Sequence, residues 1–271
     1  MGDKITLRPI WDAILGIYAE FAKLCNRHGL TYCADCGTAL GAVRHKGFIP
    51  WDDDFDIQMP RPDYERFVKI AKVELPEGLS WLDRFNCATY EHAFGKVIIT
   101  NRQIVERVAK ESGLPLNQGI FIDVFPLDGY PDSKLSRGWR KIQGRMWEVW
   151  PIIAKIGTKM GMFGDGGMLR LWAHRKLSDL NEARAKRQQF GKTELCVSIG
   201  VSRWFDDKPY PFKYFGKPKY VPFDYTSIPV QENVEGYLTE LFADYMKVPP
   251  LDKRHPAHNG GTPKPWRLGP I

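Results

Sequence analysis

Between Trp51 and Pro60 the chain reads WDDDFDIQMP, placing carboxylates at positions 52, 53, 54 and 56. In an extended strand successive side chains face opposite ways, so Asp52, Asp54 and Asp56 share one face while Asp53, Phe55 and Ile57 share the other. Carboxylates held that close repel unless they share a proton or a cation. One or two carboxylates beside substrate phosphates are the usual manner of holding magnesium. The pattern therefore predicts Mg2+ or Mn2+ at Asp52, Asp54 and Asp56, and two ions if a further ligand joins them. Asp123 is that further candidate, because it interrupts the apolar run of GIFIDVF, where an ionised carboxylate is costly unless paired or metal-bound. The competing reading of Asp123 is a buried, hydrogen-bonded aspartate, and that of the acidic run is a solvated turn. Trp51, Phe55 and Ile57 argue against the turn. Asp128, after Pro126, reads as a turn residue.

Upstream, Gly37 and Thr38 lie between a short strand and the start of a helix, where backbone N–H groups and a hydroxyl can bind phosphate at the positive helix end. Arg44, His45 and Lys46 follow in the connection to the acidic run and can neutralise a pyrophosphate; the competing reading is an ordinary basic loop. Cys33 and Cys36 form a C-x-x-C pair, which elsewhere signals zinc or redox chemistry. No second ligand pair is evident, since Cys25, Cys87 and Cys196 show no partner spacing, and packing thiols are the better reading. His255 and His258, with Lys253 and Arg254, can touch a phosphate or form a basic loop end.

The elements that must position these groups are readable from periodicity. Ile10, Ile14, Ile17, Phe21 and Leu24 recur every three or four residues between Pro9 and Gly29, which predicts an amphipathic helix. A strand is expected over Thr31 to Asp35, a short helix over Thr38 to Arg44, a strand through Phe55 and Ile57, and a helix from Asp63. Further strands are expected at Ala93 to Thr100, Gln103 to Val108 and Ile120 to Phe125. Long basic helices are expected over Lys134 to Ile156 and Gly167 to Phe190, with an ordered aromatic, proline-rich loop over Tyr210 to Pro229. Val234 to Tyr245 reads as a helix, and the tail beyond Pro249 as mobile. The expected architecture is α+β: a mixed β-sheet core with flanking helices over residues 1–130, and a mostly helical region over 131–271 that packs on it and helps bind donor and acceptor.

Length and composition bound the function. A chain of 271 residues with 43% hydrophobic and 26% charged residues buries a real core and is not disordered. Its net charge of +7 favours polyanionic partners. Five cysteines, an odd number, fit reduced thiols. The opening MGDKITLRPIW carries no apolar run and no stretch is long enough to span a bilayer, so a cytoplasmic location is expected. The stretch Arg145 to Phe163 combines large apolar groups with lysines, which suits peripheral contact with a membrane surface or, as the better reading, a core helix. A nucleic-acid-binding module fits the charge but has little use for an acidic strand, and no nucleic-acid partner is expected.

The segments GTALGAVRHKGFIPWDDDFDIQMPRPDYERF, FGKVIITNRQ, GIFIDVFPLDGYP and IPVQENVEGYLTELFADYMKVPP together resemble the LicD family of phosphocholine and related phosphoalditol transferases, to which the fukutin-related proteins are also similar. The resemblance runs from about Thr6 to His258. It implies a nucleotidyltransferase-like core and a CDP-activated alcohol donor, CDP-choline first among them. The phosphoalcohol would pass to a hydroxyl of a cell-surface glycan or lipid-linked glycan, such as lipopolysaccharide or teichoic acid, with release of CMP. Ribitol phosphate or glycerol phosphate are the alternatives to phosphocholine. By residue, the resemblance implies metal ligation at Asp54 and Asp56, a third carboxylate at Asp123 with a catalytic role, and phosphate contacts at Gly37, Thr38 and Lys96, with Asp52 close by. Cys36 stands where the family usually has Gly or Ser.

Overall fold

A computed structural model describes residues 6–90, 92–114, 116, 119–139, 142, 156, 167–198 and 208–254. Most of the 145–163 stretch, the tail beyond 254, and with it His255 and His258, lie outside the described residues.

Helix α1 (Arg8–His28) carries Pro9 in its first turn, where the missing N–H costs nothing. It ends where Gly29 takes a left-handed φ of 59°. Its Ile10, Ile14, Ile17 and Phe21 face is fully buried. Strand β1 (Cys33–Ala34) leads into α2 (Cys36–Arg44), β2 (Asp56–Pro60) and α3 (Arg61–Glu74). Strands β3 (Leu79–Leu82) and β4 (Gly95–Ile99), helix α4 (Arg102–Ser112) and the long β5 (Phe121–Tyr130) complete the first half. Beyond it, 134–139 are helical. Helix α5 (Gly167–Ala185), β6 (Leu195–Ser198), β7 (Tyr210–Pro211), β8 (Lys219–Phe223), β9 (Thr226–Val230) and α6 (Val234–Phe242) follow.

The fold is α+β. Among the described residues seven strands form one mixed sheet, ordered β1-β2-β5-β4-β3, with β6 and β7 attached through β5. Strand β5 is the hinge of this arrangement. It runs parallel to β2 along one side, antiparallel to β4 through Phe121–Val124 and antiparallel to β6 through Leu127–Tyr130. A separate β8–β9 hairpin packs its Phe223, Ile228 and Val230 into the same core as Phe48 and Phe55.

Several elements differ from the reading of the sequence. Gln103 to Val108 is helical, because Asn101 accepts hydrogen bonds from the N–H groups of Gln103 and Ile104 and caps α4. The Tyr210 to Pro229 stretch contains β7, a short 3-10 turn and most of the hairpin rather than a loop. Asp128 is not in a turn: β5 continues through Pro126, and Asp128 is buried with both carboxylate oxygens on the Arg61 guanidinium at 2.8 and 2.5 Å. Strands β3 and β6 are additional to those expected.

Candidate active site

The acidic run enters the sheet only at Asp56, but the alternation begins earlier. Asp53, Phe55 and Ile57 are buried, whereas Asp52, Asp54 and Asp56 are half-buried on the other side. The position of Asp56 is fixed by its own backbone. Its N–H donates to the Thr38 hydroxyl at 2.8 Å, and its carbonyl accepts from the Asp35 N–H at 2.9 Å. The start of the acidic strand is thereby held against the first turn of α2, the turn that carries Gly37 and Thr38. A Cβ at Gly37 would stand 2.9 Å from Asp52 Oδ2, so this turn lies directly against the acidic run.

Across the sheet, Asp56 is the register partner of Asp123 on β5, and Asp123 is the register partner of Lys96 on β4. Register partners project to the same face, so these residues form a row over three strands. Lys96 is buried, with Nζ 2.5 Å from Asp123 Oδ1 and 3.4 Å from the centroid of the Phe121 ring. The Lys96 ammonium thus sits on Asp123.

The electrostatics are those of crowded carboxylates. Burial, and next the charge of Asp54, push the Asp52 carboxyl up to about 9. Asp56 is driven well above the usual carboxylate range by burial, then by Asp54, Asp123, Asp35 and Asp52. Each such group must hold a proton or meet a cation. The donor set consists of hard oxygens, half-buried and mutually repelling, which suits Mg2+ or Mn2+. Among the described residues, no three His, Cys, Asp or Glu side chains meet as a complete ligand set.

The remaining sequence candidates are placed as follows. Arg44 directs Nη1 to the carbonyls of Tyr245 and Lys247, at 2.7 and 3.4 Å, and so ties the 245–247 segment to the end of α2. The Lys46 carbonyl accepts from Asp224 N–H at 2.7 Å, anchoring the β8–β9 turn. Burial and the neighbouring Arg44 lower His45, whose ring stands edge-on to Trp51. Cys33 and Cys36 are free thiols, both pushed well up by burial and by Asp35.

Two contributors were not singled out from the sequence. Asp35 is fully buried at the N-cap of α2; its Oδ1 accepts from Cys36 N–H at 2.9 Å and from the Tyr237 hydroxyl. An aspartate one residue before a helix start is an N-cap signal that could have found it. Tyr237 comes from α6, some 200 residues away, and no local pattern announces it. Its hydroxyl also accepts from Cys36 N–H at 3.2 Å, so a C-terminal helix braces the turn in front of Thr38.

This geometry can hold a metal-bound pyrophosphate between the first turn of α2 and the Asp54–Asp56 edge, with Asp123 beside it. Comparison with known proteins agrees in family. The family described as LicD/FKTN/FKRP, nucleotidyltransferase domain, matches residues 29–145, which contain α2, β2, Lys96 and Asp123. The lipopolysaccharide cholinephosphotransferase LicD of Haemophilus influenzae is 30% identical over 270 residues, covering 94% of this chain and 97% of its own. The chain belongs to the LicD family. An uncharacterized protein of Rickettsia prowazekii is 31% identical over 111 residues, 41% of this chain and 37% of its own. An uncharacterized Rickettsia typhi protein is 44% identical over 48 residues, 18% of this chain and 16% of its own. The matched span of the LicD-family domain ends at residue 145, whereas β6–β9 and α6, which brace the site, lie beyond it.

Proposed function

We propose that this LicD-family protein is a metal-dependent phosphotransferase that moves phosphocholine from CDP-choline to a hydroxyl of a cell-surface glycan and releases CMP. The observation that carries the reading is the row of Asp56, Asp123 and Lys96 set against the first turn of α2. The nature of the Haemophilus influenzae relative supports phosphocholine as the group transferred and lipopolysaccharide as the kind of acceptor.

In this reading Asp54 and Asp56 hold Mg2+ or Mn2+, as one ion or two, with Asp52 and Asp123 alongside. The bound metal would offset the pyrophosphate charge and favour ionisation of the acceptor hydroxyl. The first turn of α2 offers Gly37 and Thr38 to a phosphate oxygen. Asp123 accepts the acceptor's proton as its oxygen bonds to the distal phosphorus. The bond from that phosphorus to the bridging oxygen breaks, and the electron pair leaves with CMP. Lys96 sits on Asp123 and offsets the charge that four nearby carboxylates accumulate.

The test is a donor screen with Mg2+ or Mn2+, using CDP-choline, CDP-ribitol and CDP-glycerol with lipopolysaccharide. CMP release from CDP-choline, abolished by EDTA and restored by metal, is the expected result. Preference for CDP-ribitol or CDP-glycerol would keep the chemistry and replace the group transferred. Transfer from a uridine or guanosine sugar donor, with no cytidine nucleotide consumed, would overturn the reading.

A further inference from the structure

The helical stretch that starts at residue 134 carries a feature that the transfer chemistry does not use. Leu135 is 86% exposed, Trp139 60% and Ile142 53%. Their spacing, four and then three residues, puts them within about 60° of one another at a helix's turn of about 100° per residue. The same spacing in α1, at Ile10, Ile14 and Ile17, places side chains that are at most 2% exposed. One pattern is thus buried in the core and the other turned to solvent. Scattered exposed apolar residues need no explanation, but three on one helical face do.

What covers this face is indicated by charge. Lys134 is exposed beside it, Arg137 lies on the same helix, Arg140, Lys141 and Arg145 follow in the sequence, and no acidic residue occurs from Ser133 to Trp147. An apolar face bearing tryptophan, on a segment whose charges are all basic, is the composition of a helix that lies in the headgroup region of an anionic bilayer. A second copy of the chain or an ordinary protein partner does not call for so one-sided a charge. No helix among the described residues is long and apolar enough to cross a membrane, so the contact is with the surface. We infer that Leu135, Trp139 and Ile142, with Lys134 beside them, form a docking surface for an anionic lipid bilayer. The inference stands apart from the choice of donor and acceptor.

The test is cosedimentation of the full chain with vesicles of phosphatidylcholine alone and of phosphatidylcholine mixed with phosphatidylglycerol, at low and high salt. The protein should pellet with the phosphatidylglycerol vesicles and be released by salt. Trp139→Asp should weaken binding at least about tenfold. Lys134→Glu should weaken it at least about fivefold, a basic residue near the surface being worth about that much. Trp139 is exposed and outside the site, so circular dichroism and turnover on soluble substrates should be unchanged in Trp139→Asp. Absence of pelleting would overturn the inference, as would pelleting indifferent to phosphatidylglycerol and to both variants. A lipid-free dimer that Trp139→Asp converts to monomer, without vesicle binding, would assign the face to a second copy and overturn it too.

Discussion

At the residue scale the acidic face is where acidity and stability meet. The Asp52 carboxyl, near 3.8 when unfolded, is pushed up to about 9 in the folded chain by burial and by Asp54. The folded state therefore holds a proton that the unfolded state has released across that window, and stability falls as pH rises. The contribution is complete below the unfolded value and is lost as pH climbs through the folded one. Metal-free protein should accordingly show a melting temperature that declines between about pH 5 and pH 9, and Asp52→Asn should flatten the decline. Added Mg2+ should raise the melting temperature more at pH 9 than at pH 6, because ligation needs carboxylates already deprotonated. A profile identical in Asp52→Asn would show that other groups titrate. Asp54→Ala and Asp56→Ala should each cost turnover at least about a thousandfold, with folding retained, since each removes a ligand and relieves repulsion. Near-normal turnover in either would remove it from the metal site. Asp123→Asn should separate donor affinity from rate: the amide fills the space beside Lys96 but takes no proton. Equilibrium donor binding and single-turnover kinetics together decide this, and an intact rate would make Asp123 structural.

At the scale of elements, the charges between α3, β5 and α5 decide how the second half is fastened to the first. Arg61 on α3 holds Asp128 on β5 through two hydrogen bonds, and its Nη1 lies 3.5 Å from Glu182 on α5. Glu182 also pairs with the buried Arg84 and with Lys186. Arg61→Ala takes the guanidinium from a buried carboxylate and should cost roughly 3–5 kcal/mol in denaturant unfolding. Replacing Arg61 and Asp128 together by apolar residues of similar volume should recover most of that loss, which a purely steric role for Arg61 would not permit. None of this network was legible in the chain, because Asp128 lies two residues after a proline, its partner Arg61 is 67 residues away, and Glu182 comes from a third element. What was legible had local period: the α1 face, the alternation of Asp52 to Ile57, and the short helix near Gly37 and Thr38, which begins at Cys36 rather than after the glycine. The misreading of Gln103 to Val108 shows the limit. Ile104, Val105 and Val108 suit a strand by side-chain type, and the Asn101 cap decided for a helix. The β8–β9 hairpin was obscured by Pro222 and Pro229, which are tolerated because a two-stranded ribbon leaves both strands at an edge. In the same way Asp54 and Asp56 could be found from spacing, whereas the Tyr237 brace and the Lys96–Asp123 pair exist only once the sheet is assembled.

For the whole molecule, the placement of the C-terminal elements argues that residues 1–130 do not fold alone. Phe223, in β8, packs 4.9 Å from Phe48 and 5.6 Å from Phe55, ring centroid to centroid, directly behind the acidic strand. Ile228, Val230 and Leu238 are completely buried in that same core. Each large apolar side chain of this kind contributes about 1.5–3 kcal/mol. Three buried polar groups of the first half also take partners from beyond residue 200: Asp35 the Tyr237 hydroxyl, Gln58 the Tyr210 hydroxyl at 2.6 Å, and the Ala34 carbonyl Gln231 Nε2 at 2.8 Å. Losing a partner that leaves a buried polar group unsatisfied costs about 1–3 kcal/mol. Together these losses are comparable with the whole stability of a typical domain, about 5–15 kcal/mol. Cutting after Tyr130 would further expose the edge of β5 that β6 covers. A fragment ending at 130 should therefore show no cooperative melting and poor dispersion of amide resonances. The full chain should melt in one transition that metal and cytidine donor shift together, since both halves surround the turn proposed to bind them. A fragment that melts cooperatively, or a full chain with two transitions of which only one responds to donor, would show that the catalytic half stands without the bracing of α6 and the hairpin.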